Sequence, residues 1–335
     1  MAVRLQDIAE YLGLSVSTVS LALRDAPQIS EETRSRVRDA AMQLGYIHRP
    51  RQTIRTELQQ IAFITNVVST NDFYSGVLSG AEHECREHGI AMYYSLLREL
   101  TPKVLSQYAE ADALLVVGSI DAQTVRRLQA LGRPIVLVDN NLPYLGIDRV
   151  LIENIGSVYR VVSWLAELGH QRIAFLCGPD ELPSFAERRH GYRMAMKAWG
   201  FEPFEIANQS MQELDIAKAV LQHLQSDGCF PFSALIAYHD RAAIFVMHAL
   251  QDQGLNIPDD LSIVGFDHSD LVRMARPALA TCQVYRDMLG ILGVRRLIER
   301  AQNPDLPVMA ITLDTVLVEG ASVQHVQSSM DARKF

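Results

Sequence analysis

The sequence has few cysteines and no long apolar run, and these absences exclude several classes of protein. Its four cysteines are widely separated and form no CxxC pair: Cys85, Cys177, Cys229 and Cys282. We therefore expect buried thiols, without a disulfide framework or a zinc site. No apolar run reaches the roughly 18 residues of a membrane helix. The N-terminal MAVRLQDIAEYLG has acidic residues where a signal peptide needs an apolar core, so a cytoplasmic protein without a membrane partner is expected.

The usual catalytic motifs are also absent. The chain has no GxGxxG motif, no GKS or GKT phosphate loop and no GxSxG nucleophile elbow. The stretch HECREH is similar to the HExxH motif of zinc proteases, but His83 and His88 are five residues apart and would diverge on a helix. We interpret HECREH as a solvated helix face. The prediction is a protein with no enzymatic activity, cofactor or metal.

The charge of the chain is unevenly distributed. The net charge is −8, but residues 1–58 contain eight arginines and seven acidic residues, which gives +1 and leaves −9 for the rest. Between Arg34 and Arg55, six arginines accompany a single acidic residue, Asp39. Phosphate attraction acts over about one Debye length, so this local basic segment is compatible with DNA binding. A solvated helix face has the same composition.

Residues 1–46 are predicted to form three short helices. The first ends at Gly13, a C-cap residue, while Ser15 and Ser30 are N-caps of the second and third. The side chains predicted to face inward from the first and third helices are Ile8, Ala9, Leu12, Val37, Ala41 and Leu44. Two helices joined by a tight turn and braced by a third are typical of a helix-turn-helix unit. A plain three-helix bundle is the alternative.

The second helix, within SVSTVSLALRD, is unusually rich in hydroxyl groups. Four of the six residues 15–20 are serine or threonine, which are poor residues for a helix interior. Helical spacing places Val16, Val19 and Leu23 along one side and leaves Leu21 elsewhere. In a helix-turn-helix unit the second helix enters the major groove, where small side chains allow close approach and hydroxyls bond phosphates or base edges. DNA binding therefore explains the composition.

From Ile61 onward, apolar β-branched runs alternate with amphipathic stretches. The predicted strands are IAFITNVV, IAMYYSLL, ALLVVGS, PIVLVDN, RIAFLCG, ALIAY and LSIVGF, and the predicted helices cover residues 76–88, 123–131, 158–168 and 242–253. Continuous apolar strands between helices indicate buried parallel sheets. About 270 residues are too many for one compact sheet. We predict an α/β fold, with an all-α headpiece and a two-lobed core whose cleft lies at the carboxyl ends of the strands.

Four segments, in this order, closely resemble the lactose repressor (LacI/GalR) family: LQDIAEYLGLSVSTVSLALRDAPQISEETRSRVRDAAMQLGY, ELGHQRIAFLCGP, ERRHGYRMAM and GLNIPDDLSIVGFD. The resemblance covers nearly the whole chain. It implies a homodimeric regulator whose headpieces bind a palindromic DNA operator and whose periplasmic-binding-protein-like core binds a small effector, often a sugar or nucleoside. The implied regions are a headpiece (1–46), a hinge (47–60) and an effector-binding and dimerisation core (61–335).

The resemblance assigns the DNA contacts residue by residue. Val16, Ser17 and Leu21 would face base edges. The residues that would hold phosphates are Ser15, Thr18, Ser20, Ser30 and Thr33. The family frequently has arginine where Leu21 stands, and leucine cannot donate to guanine, so readout there would be apolar, for instance against a thymine methyl. Core packing is the alternative for Val16 and Leu21, and we expect Leu21 to be exposed.

The hinge departs from the family pattern. Relatives usually have Pro-Asn two residues after the tyrosine and a leucine that wedges into the minor groove. Here Pro50 follows the tyrosine by four residues, and Leu58 is the only leucine nearby. The usual wedge is therefore not supported. Arg49, Arg51 and Arg55 are assigned instead to phosphate contacts.

The resemblance also assigns an effector site. Its residues are Phe73, Tyr74, Asn154, Arg188, His239 and Asp267. The aromatic pair would line the cleft, while Arg188 would donate to ligand oxygens and Asp267 would accept from hydroxyls in a bidentate charged pair. A turn or helix-capping role is the alternative for Asp267. Relatives commonly have asparagine where His239 stands. That histidine can donate to a carboxylate and make binding depend on pH, or can be bonded to the protein itself.

Two other classes of function compete with a regulator. A solute-binding protein for a transporter would explain the cleft but needs an export signal and no headpiece. An α/β enzyme would need a nucleophile or a metal motif. The C-terminal VQHVQSSMDARKF has no leucine heptad, so a tetramerising coil is not expected. The sequence therefore predicts a dimeric, effector-controlled DNA-binding regulator.

Replacing Leu21 with arginine should change the base preference of operator binding. Arginine donates to guanine, whereas leucine offers only apolar contact, and a good bidentate contact discriminates by about 1–3 kcal/mol. Selection from a randomised operator library measures the preference of both proteins. An unchanged preference would show that residue 21 does not contact a base.

Overall fold

The structure is a computed structural model that describes residues 5–23, 29–44, 57–68, 72–180, 182–226 and 228–326. They belong to two compact units, one within residues 1–54 and the other within residues 55–335. Across the described residues, every helix is too short or too polar to cross a membrane. The same residues contain no group of His, Cys, Asp and Glu side chains arranged to hold a metal ion.

The first unit contains three helices: α1 (Leu5–Leu12), α2 (Val16–Leu23) and α3 (Glu31–Gln43). Their ends agree with the prediction. Gly13 has a φ of +64°, which suits a helix C-cap. Ser15 Oγ accepts from the Thr18 backbone N–H at 3.0 Å, and Ser30 Oγ accepts from the Thr33 N–H at 3.3 Å. The buried residues between the helices are Ile8, Ala9, Val19, Ala22, Val37, Ala40 and Ala41.

The second unit is built on two six-stranded sheets. In chain order its strands are β1 (Gln60–Thr65), β2 (Ala91–Leu96), β3 (Ala113–Val117), β4 (Ile135–Val138), β5 (Asp148–Ile152), β6 (Ile173–Leu176), β7 (Phe204–Ile206), β8 (Ala234–Ala237), β9 (Ser262–Asp267), β10 (Ala280–Gln283), β11 (Ala310–Leu313) and β12 (Val316–Val318). The first sheet has the order β11-β5-β4-β3-β1-β2 and is parallel throughout. The second has the order β12-β10-β9-β8-β6-β7, with only β12 antiparallel to its neighbour.

Helices connect the strands and complete two α/β lobes. They are α4 (Asp72–Glu87), α5 (Pro102–Glu110), α6 (Ala122–Gln129), α7 (Asn154–Glu167), α8 (Pro183–Trp199), α9 (Glu213–Leu221), α10 (Asp240–Asp252) and α11 (Arg286–Gln302). The first lobe contains the first sheet, and the second lobe contains the second. All seven predicted strands and all four predicted helices are present, which confirms the predicted two-lobed α/β core.

Helix α11 follows β10 of the second lobe but packs against α4 and the first sheet. Glycines permit this close crossing. A Cβ at Gly80 would collide with the backbone of Asp287, and one at Gly290 would collide with the backbone of Val77. The far end of α11 is held by a buried ion pair in which Arg296 Nη2 donates to Asp148 Oδ1 at 3.0 Å. The chain therefore crosses between the lobes and returns to the first.

The interpretation of HECREH as a solvated helix face is wrong for two of its six residues. His83 is exposed, but Glu84 and Cys85 are buried in α4. Glu84 accepts from Arg295 Nε at 2.8 Å and also contacts His88 at 3.1 Å. The hydrogen bond from Arg295 lowers the pKa of Glu84. Glu84 lies four residues after Gly80, which packs against Asp287 of α11, so the two positions share one face of α4.

No disulfide joins the four cysteines, as expected. Three of them are buried, whereas Cys229 is half-exposed, so the expectation of burial is wrong for that residue. It lies in the loop between α9 and β8, away from the sheet interior. Burial raises the pKa of the Cys85 and Cys282 thiols to about 12, which makes both poor nucleophiles.

The last residues of the predicted hinge, 57–60, lie against the core. Leu58 is only 9% exposed, and the backbone N–H groups of Gln59 and Gln60 donate to Asp112 Oδ2 at 2.8 and 3.0 Å. Residues 57–60 therefore pack as the start of the core, and Leu58 is not placed to act as a wedge. The rest of the hinge, including Arg49, Arg51 and Arg55, lies outside the described residues, as do residues 327–335.

Candidate DNA-binding and effector sites

The N-terminal turns of α2 and α3 present hydroxyl groups to solvent. Ser15 Oγ lies 2.7 Å from Ser17 Oγ and 2.8 Å from Thr18 Oγ1, while Ser30 Oγ lies 2.9 Å from Thr33 Oγ1. The three serines are exposed and the two threonines half-buried. Hydroxyls and helix N-termini are suited to phosphate oxygens. The side chain of Ser20, also assigned to a phosphate, lies outside the described residues.

Val16 does not lie on the inward side of α2, contrary to the spacing argument. It is 44% exposed, and the inward positions are Val19 and Ala22. Val16 is the first residue of the helix. Core packing is thus excluded for Val16 within this unit. Leu21 is half-buried rather than exposed, so its expected exposure is met only in part.

In the second unit the predicted effector residues meet between the two lobes, at the carboxyl ends of the strands. Arg188 in α8 lies at the centre and is 3% exposed. Its Nε donates to Asn154 Oδ1 at 2.9 Å, its Nη1 to the carbonyl of Tyr238 at 2.5 Å and its Nη2 to Asp267 Oδ1 at 3.3 Å. The guanidinium also lies 3.6 Å from the centre of the Phe266 ring, which is a favourable cation–π geometry.

The contact between Arg188 and Asp267 is a single hydrogen bond. The guanidinium serves three different acceptors, which leaves only Nη2 for this carboxylate. Asp267 ends β9 with a φ of +108°. It does not cap the following turn, because the Ser269 N–H donates to Asp240 Oδ2 at 2.7 Å. Burial raises the pKa of Asp267, and the charge of Arg188 opposes that rise.

Phe73 and Tyr74 lie in the first turn of α4 rather than in a loop, because the helix begins at Asp72. Their rings meet edge to face with centres 5.0 Å apart. Tyr74 Oη donates to Asp139 Oδ2 at 2.8 Å. Burial, followed by the charge of Asp139, raises the pKa of Tyr74 well above its usual value, so this tyrosine remains a hydrogen-bond donor at physiological pH.

His239 is bonded to the protein itself, which favours the second of the two expectations for it. Its Nδ1 accepts from the Ala242 backbone N–H at 2.9 Å and so caps α10. The ring centre lies 4.3 Å from that of Tyr238. Burial lowers the pKa of His239 to about 3, so the ring is neutral and does not provide the expected pH-dependent charge. Since Nδ1 is an acceptor, Nε2 carries the proton.

Three further residues of the cleft were not predicted from the sequence: Asp139, Asn141 and Glu187. Asn141 Nδ2 and Asn154 Nδ2 donate to the two carboxylate oxygens of Glu187, each at 2.9 Å. The bond from Asn141 links the first lobe to the second. Burial raises the pKa of Asp139 to about 6, although the hydrogen bond from Tyr74 opposes the rise. The sequence held a signal for Asp139, because it follows the apolar run PIVLV as Asp267 follows SIVGF.

Two openings adjoin these residues. One, beside Asp139 and Glu187, has room for about one water molecule. The other has a volume of about 240 Å³ and is lined by parts of both lobes, including Gly76, His268 and Arg286. The smaller opening, next to the predicted effector residue Asn154, is therefore almost closed, and the larger one lies at the edge of the cleft.

The headpiece matches the model of the bacterial regulatory proteins of the LacI family over residues 4–48, and residues 162–323 match a periplasmic binding protein-like domain. The transcriptional repressor CytR of Escherichia coli strain K12 is 29% identical over 329 residues, 95% of each chain.

Two solved structures also have this architecture. The Lac repressor dimer bound to operator and the anti-inducer ONPF has a TM-score of 0.70 and 22% identity, covering 97% of this chain and all of that one. The complex of the transcriptional regulator CelR with cellobiose has a TM-score of 0.69 and 22% identity, covering 96% of this chain and all of that one.

The chain therefore combines a helix-turn-helix domain of the LacI family with a periplasmic-binding-protein-like domain. It is a DNA-binding transcriptional regulator with a helix-turn-helix headpiece and a periplasmic-binding-protein-like core. The relatives are regulators rather than enzymes.

Replacing Asp139 with asparagine should change how stability depends on pH. Burial raises the folded-state pKa of Asp139 to about 6, whereas an unfolded aspartate titrates near ~3.9. Between roughly pH 4 and 6 the folded wild type binds more protons than the unfolded chain, so Asp139 lowers its free energy of unfolding as the pH rises. The variant lacks this effect. As the pH rises through that window, the free energy of unfolding of the variant should therefore increase relative to that of the wild type, by up to roughly 3 kcal/mol.

Chemical denaturation of both proteins across that pH window measures the difference. Asp305→Asn, at an exposed position outside the cleft, is the matched control and should follow the wild type. A difference between Asp139→Asn and wild type that stays constant with pH would contradict the buried titration.

Proposed function

We propose that this regulator is a cytoplasmic, non-catalytic repressor that binds a palindromic operator as a homodimer and is controlled by a sugar-like molecule between its lobes. The observation that carries the proposal is the convergence of polar and aromatic side chains from both lobes around Arg188, in a chain that also has a helix-turn-helix headpiece. A solute-binding protein would have no use for the headpiece. In the relative CelR, the bound molecule is cellobiose.

We assign residues 1–46 to DNA binding, 47–60 to the hinge and 61–335 to effector binding and dimerisation. The two compact units are consistent with a boundary between headpiece and core, although residues 57–60 pack with the core. A two-fold dimer presents two equivalent headpieces to two half-sites, which makes a palindromic operator the natural partner.

For the headpiece, we assign base contacts to Val16, Ser17 and Leu21. The exposure of Val16 and Ser17 supports this role. The residues assigned to phosphates are Ser15, Thr18, Ser20, Ser30, Thr33, Arg49, Arg51 and Arg55. Helix α2 contains no charged residue, so its readout depends on hydroxyls and apolar contact. Thymine methyl groups are the suited partners for the apolar side chains.

For the core, the effector would act by favouring one arrangement of the lobes. The hydrogen bond from Asn141 to Glu187 joins the lobes in this structure. A ligand that contacts Arg188 and Asp267 of the second lobe together with residues of the first lobe would compete with or reinforce that bond. A ligand changes operator affinity only through different affinities for the two arrangements. The assigned contact residues are Phe73, Tyr74, Asn154, Arg188, His239 and Asp267.

A ligand that binds the cleft should change operator affinity by roughly 5- to 150-fold, the range expected for a coupling of about 1–3 kcal/mol. A thermal-shift screen of sugars and nucleosides finds the ligand, since saturation at a hundred times Kd adds roughly 2.7 kcal/mol of stability. Fluorescence anisotropy then measures binding to an operator selected from random DNA, with and without ligand. A stereoisomer that gives no thermal shift is the control. Equal operator affinity at saturation would refute the coupling.

Replacing Arg49, Arg51 and Arg55 together with glutamine should flatten the salt dependence of operator binding. Removing one arginine–phosphate interaction lowers the slope of log K against log salt concentration by about 0.9. The same triple change at three exposed arginines of the core gives a variant of equal net charge: Arg98, Arg126 and Arg127. An equal slope for the two variants would show that the hinge arginines do not contact phosphates.

A further inference from the structure

The carboxylate of Glu187 in α8 accepts one hydrogen bond from each lobe. Its Oε1 accepts from Asn141 Nδ2 at 2.9 Å, and Asn141 lies in the loop between β4 and β5 of the first lobe. Its Oε2 accepts from Asn154 Nδ2 at 2.9 Å, and Asn154 is the first residue of α7 in the second lobe. Hydrogen bonds to an ionised acceptor are roughly twice as strong as neutral ones. Both oxygens of one carboxylate therefore hold the two lobes together.

The orientation of the Asn154 amide is fixed by Arg188. A guanidinium group has donors and no acceptor, and Arg188 Nε donates to Asn154 Oδ1 at 2.9 Å. The amide oxygen of Asn154 must therefore face Arg188, which turns its amide nitrogen toward Glu187. Asn154 and Arg188 are each 3% exposed, so solvent has little access to this bond. A continuous chain of hydrogen bonds thus runs from Arg188 through Asn154 and Glu187 to Asn141 of the first lobe.

The bond between Asn141 and Glu187 is sensitive to the arrangement of the lobes. The chain crosses between the lobes after β5, β10 and β11, and a rotation about these crossovers leaves the covalent connections intact. The side-chain bond, in contrast, is lost once donor and acceptor separate beyond about 3.5 Å. The opening beside it has room for about one water molecule. The bond therefore favours the closed arrangement over a wider one.

Asn141 also offsets a repulsion between the lobes. Burial raises the pKa of Asp139, and the charge of Glu187 adds to that rise, so Glu187 lies near a carboxylate of the first lobe. Two ionised carboxylates repel each other strongly where the local dielectric is low. An amide donor from the first lobe gives Glu187 a favourable partner on the same side as Asp139. The identity of residue 141 therefore affects whether closure is favourable.

Building on the proposed function, we propose that Glu187 is a positioning residue that links the effector site to closure of the lobes. It is connected to Arg188 through Asn154, and it holds the first lobe through Asn141. A ligand that moves Arg188 changes the orientation of the Asn154 amide, and with it the position of Glu187 relative to the first lobe. Lobe closure and contact with Arg188 are then two ends of one hydrogen-bonded chain.

Asn141→Asp tests the bond between the lobes. It places a carboxylate oxygen where an amide nitrogen donates to Glu187, so two carboxylates face each other and the lobes should separate. Adding Glu187→Gln supplies an amide that donates to the introduced carboxylate and still accepts from Asn154, so closure should be restored. Asn303→Asp, exposed in the loop between α11 and β11, makes the same change of charge away from the cleft and is the matched control.

Double electron–electron resonance measures the distance between spin labels on the two lobes of the full chain. The labels are attached at Lys103→Cys in α5 and Lys197→Cys in α8, both exposed. Half-exposed Cys229 is replaced by serine, and the other native cysteines are buried. Mixing with excess unlabelled chain isolates the distance within one subunit.

Asn141→Asp should give a second population at a different distance, absent from the wild type and from Asn303→Asp. The double variant with Glu187→Gln should return to the wild-type distribution. An unchanged distribution in Asn141→Asp overturns the proposal. A shift that Glu187→Gln does not reverse also overturns it, because general damage to the cleft would not be repaired by a matched partner.

Asn154→Asp tests the connection to Arg188. The variant keeps an acceptor for Arg188 but replaces the donor to Glu187 with a second carboxylate oxygen. Asn154 lies in the same lobe as Glu187, so the substitution should reach the first lobe through Glu187 and give the same change in distance. Glu187→Gln should again reverse it. A wild-type distribution in Asn154→Asp would overturn the link between Arg188 and the first lobe.

Operator affinity separates this inference from the proposed function. Asn141→Asp should change the affinity for the selected operator by at least about fivefold, the lower end of allosteric couplings, and the added Glu187→Gln should restore it. A change in distance without a change in operator affinity overturns the regulatory role of Glu187. A chain that binds no operator in any form overturns the proposed function itself, while the distances still test the bond between the lobes.

Discussion

The buried guanidinium of Arg188 holds the floor of the interlobe cleft in place. Its nitrogens reach the start of α7, the carbonyl that follows β8 and the end of β9. A buried cation is strongly destabilising unless acceptors surround it, so one side chain fixes the positions of Asn154, Tyr238 and Asp267. Breaking a buried charge pair of this kind costs about 3–5 kcal/mol, because the remaining charge stays buried. The geometry available to a ligand depends on this one group.

The strand ends that meet in the cleft are conformationally costly. Asp139, Asp267 and His268 have positive φ values, and a residue other than glycine in such a region costs about 1–3 kcal/mol. The hydrogen bonds from Tyr74 and Arg188 to the two aspartates offset part of that cost. The sharp turn has a function, since an extended strand would carry each carboxylate past the edge of its sheet rather than into the cleft.

The sequence predicts best where the signal is local. Ser15 and Ser30 cap their helices as expected, and the seven predicted strands are largely apolar runs in the sequence. The strands that were not predicted are β5, β7, β10, β11 and β12. Those at sheet edges are short, and β5 alternates between buried and half-buried residues, so their apolar signal is weak. Their place depends on tertiary pairing rather than on their own pattern.

The candidate site could be predicted only in part, for a related reason. Resemblance supplied Arg188 and Asp267, whereas Asp139 requires knowledge of which strand of the first sheet corresponds to β9. Three features follow from packing geometry that no short stretch of sequence specifies. They are the single hydrogen bond between Arg188 and Asp267, the capping role of His239 and the exposure of Val16. The sequence identified which kinds of side chain form the site, and the fold determined which hydrogen-bond partners each of them has.

The two halves of the regulator use charge in opposite ways. Helix α2 has no charged residue, so its contacts to bases gain nothing from counterion release, and the salt-dependent part of DNA binding has to come from arginines elsewhere. In the core, by contrast, Asp139 of the first lobe and Asp267 of the second lie at strand ends in the same cleft, where a low local dielectric strengthens the repulsion between the two carboxylates. This repulsion therefore opposes closure of the lobes without a ligand. Protonation of a carboxylate, or a hydrogen-bond donor bound to it, reduces the repulsion. Since a ligand shifts a conformational equilibrium only by its differential affinity, an effector has to interact differently with these charged side chains in the two arrangements of the lobes.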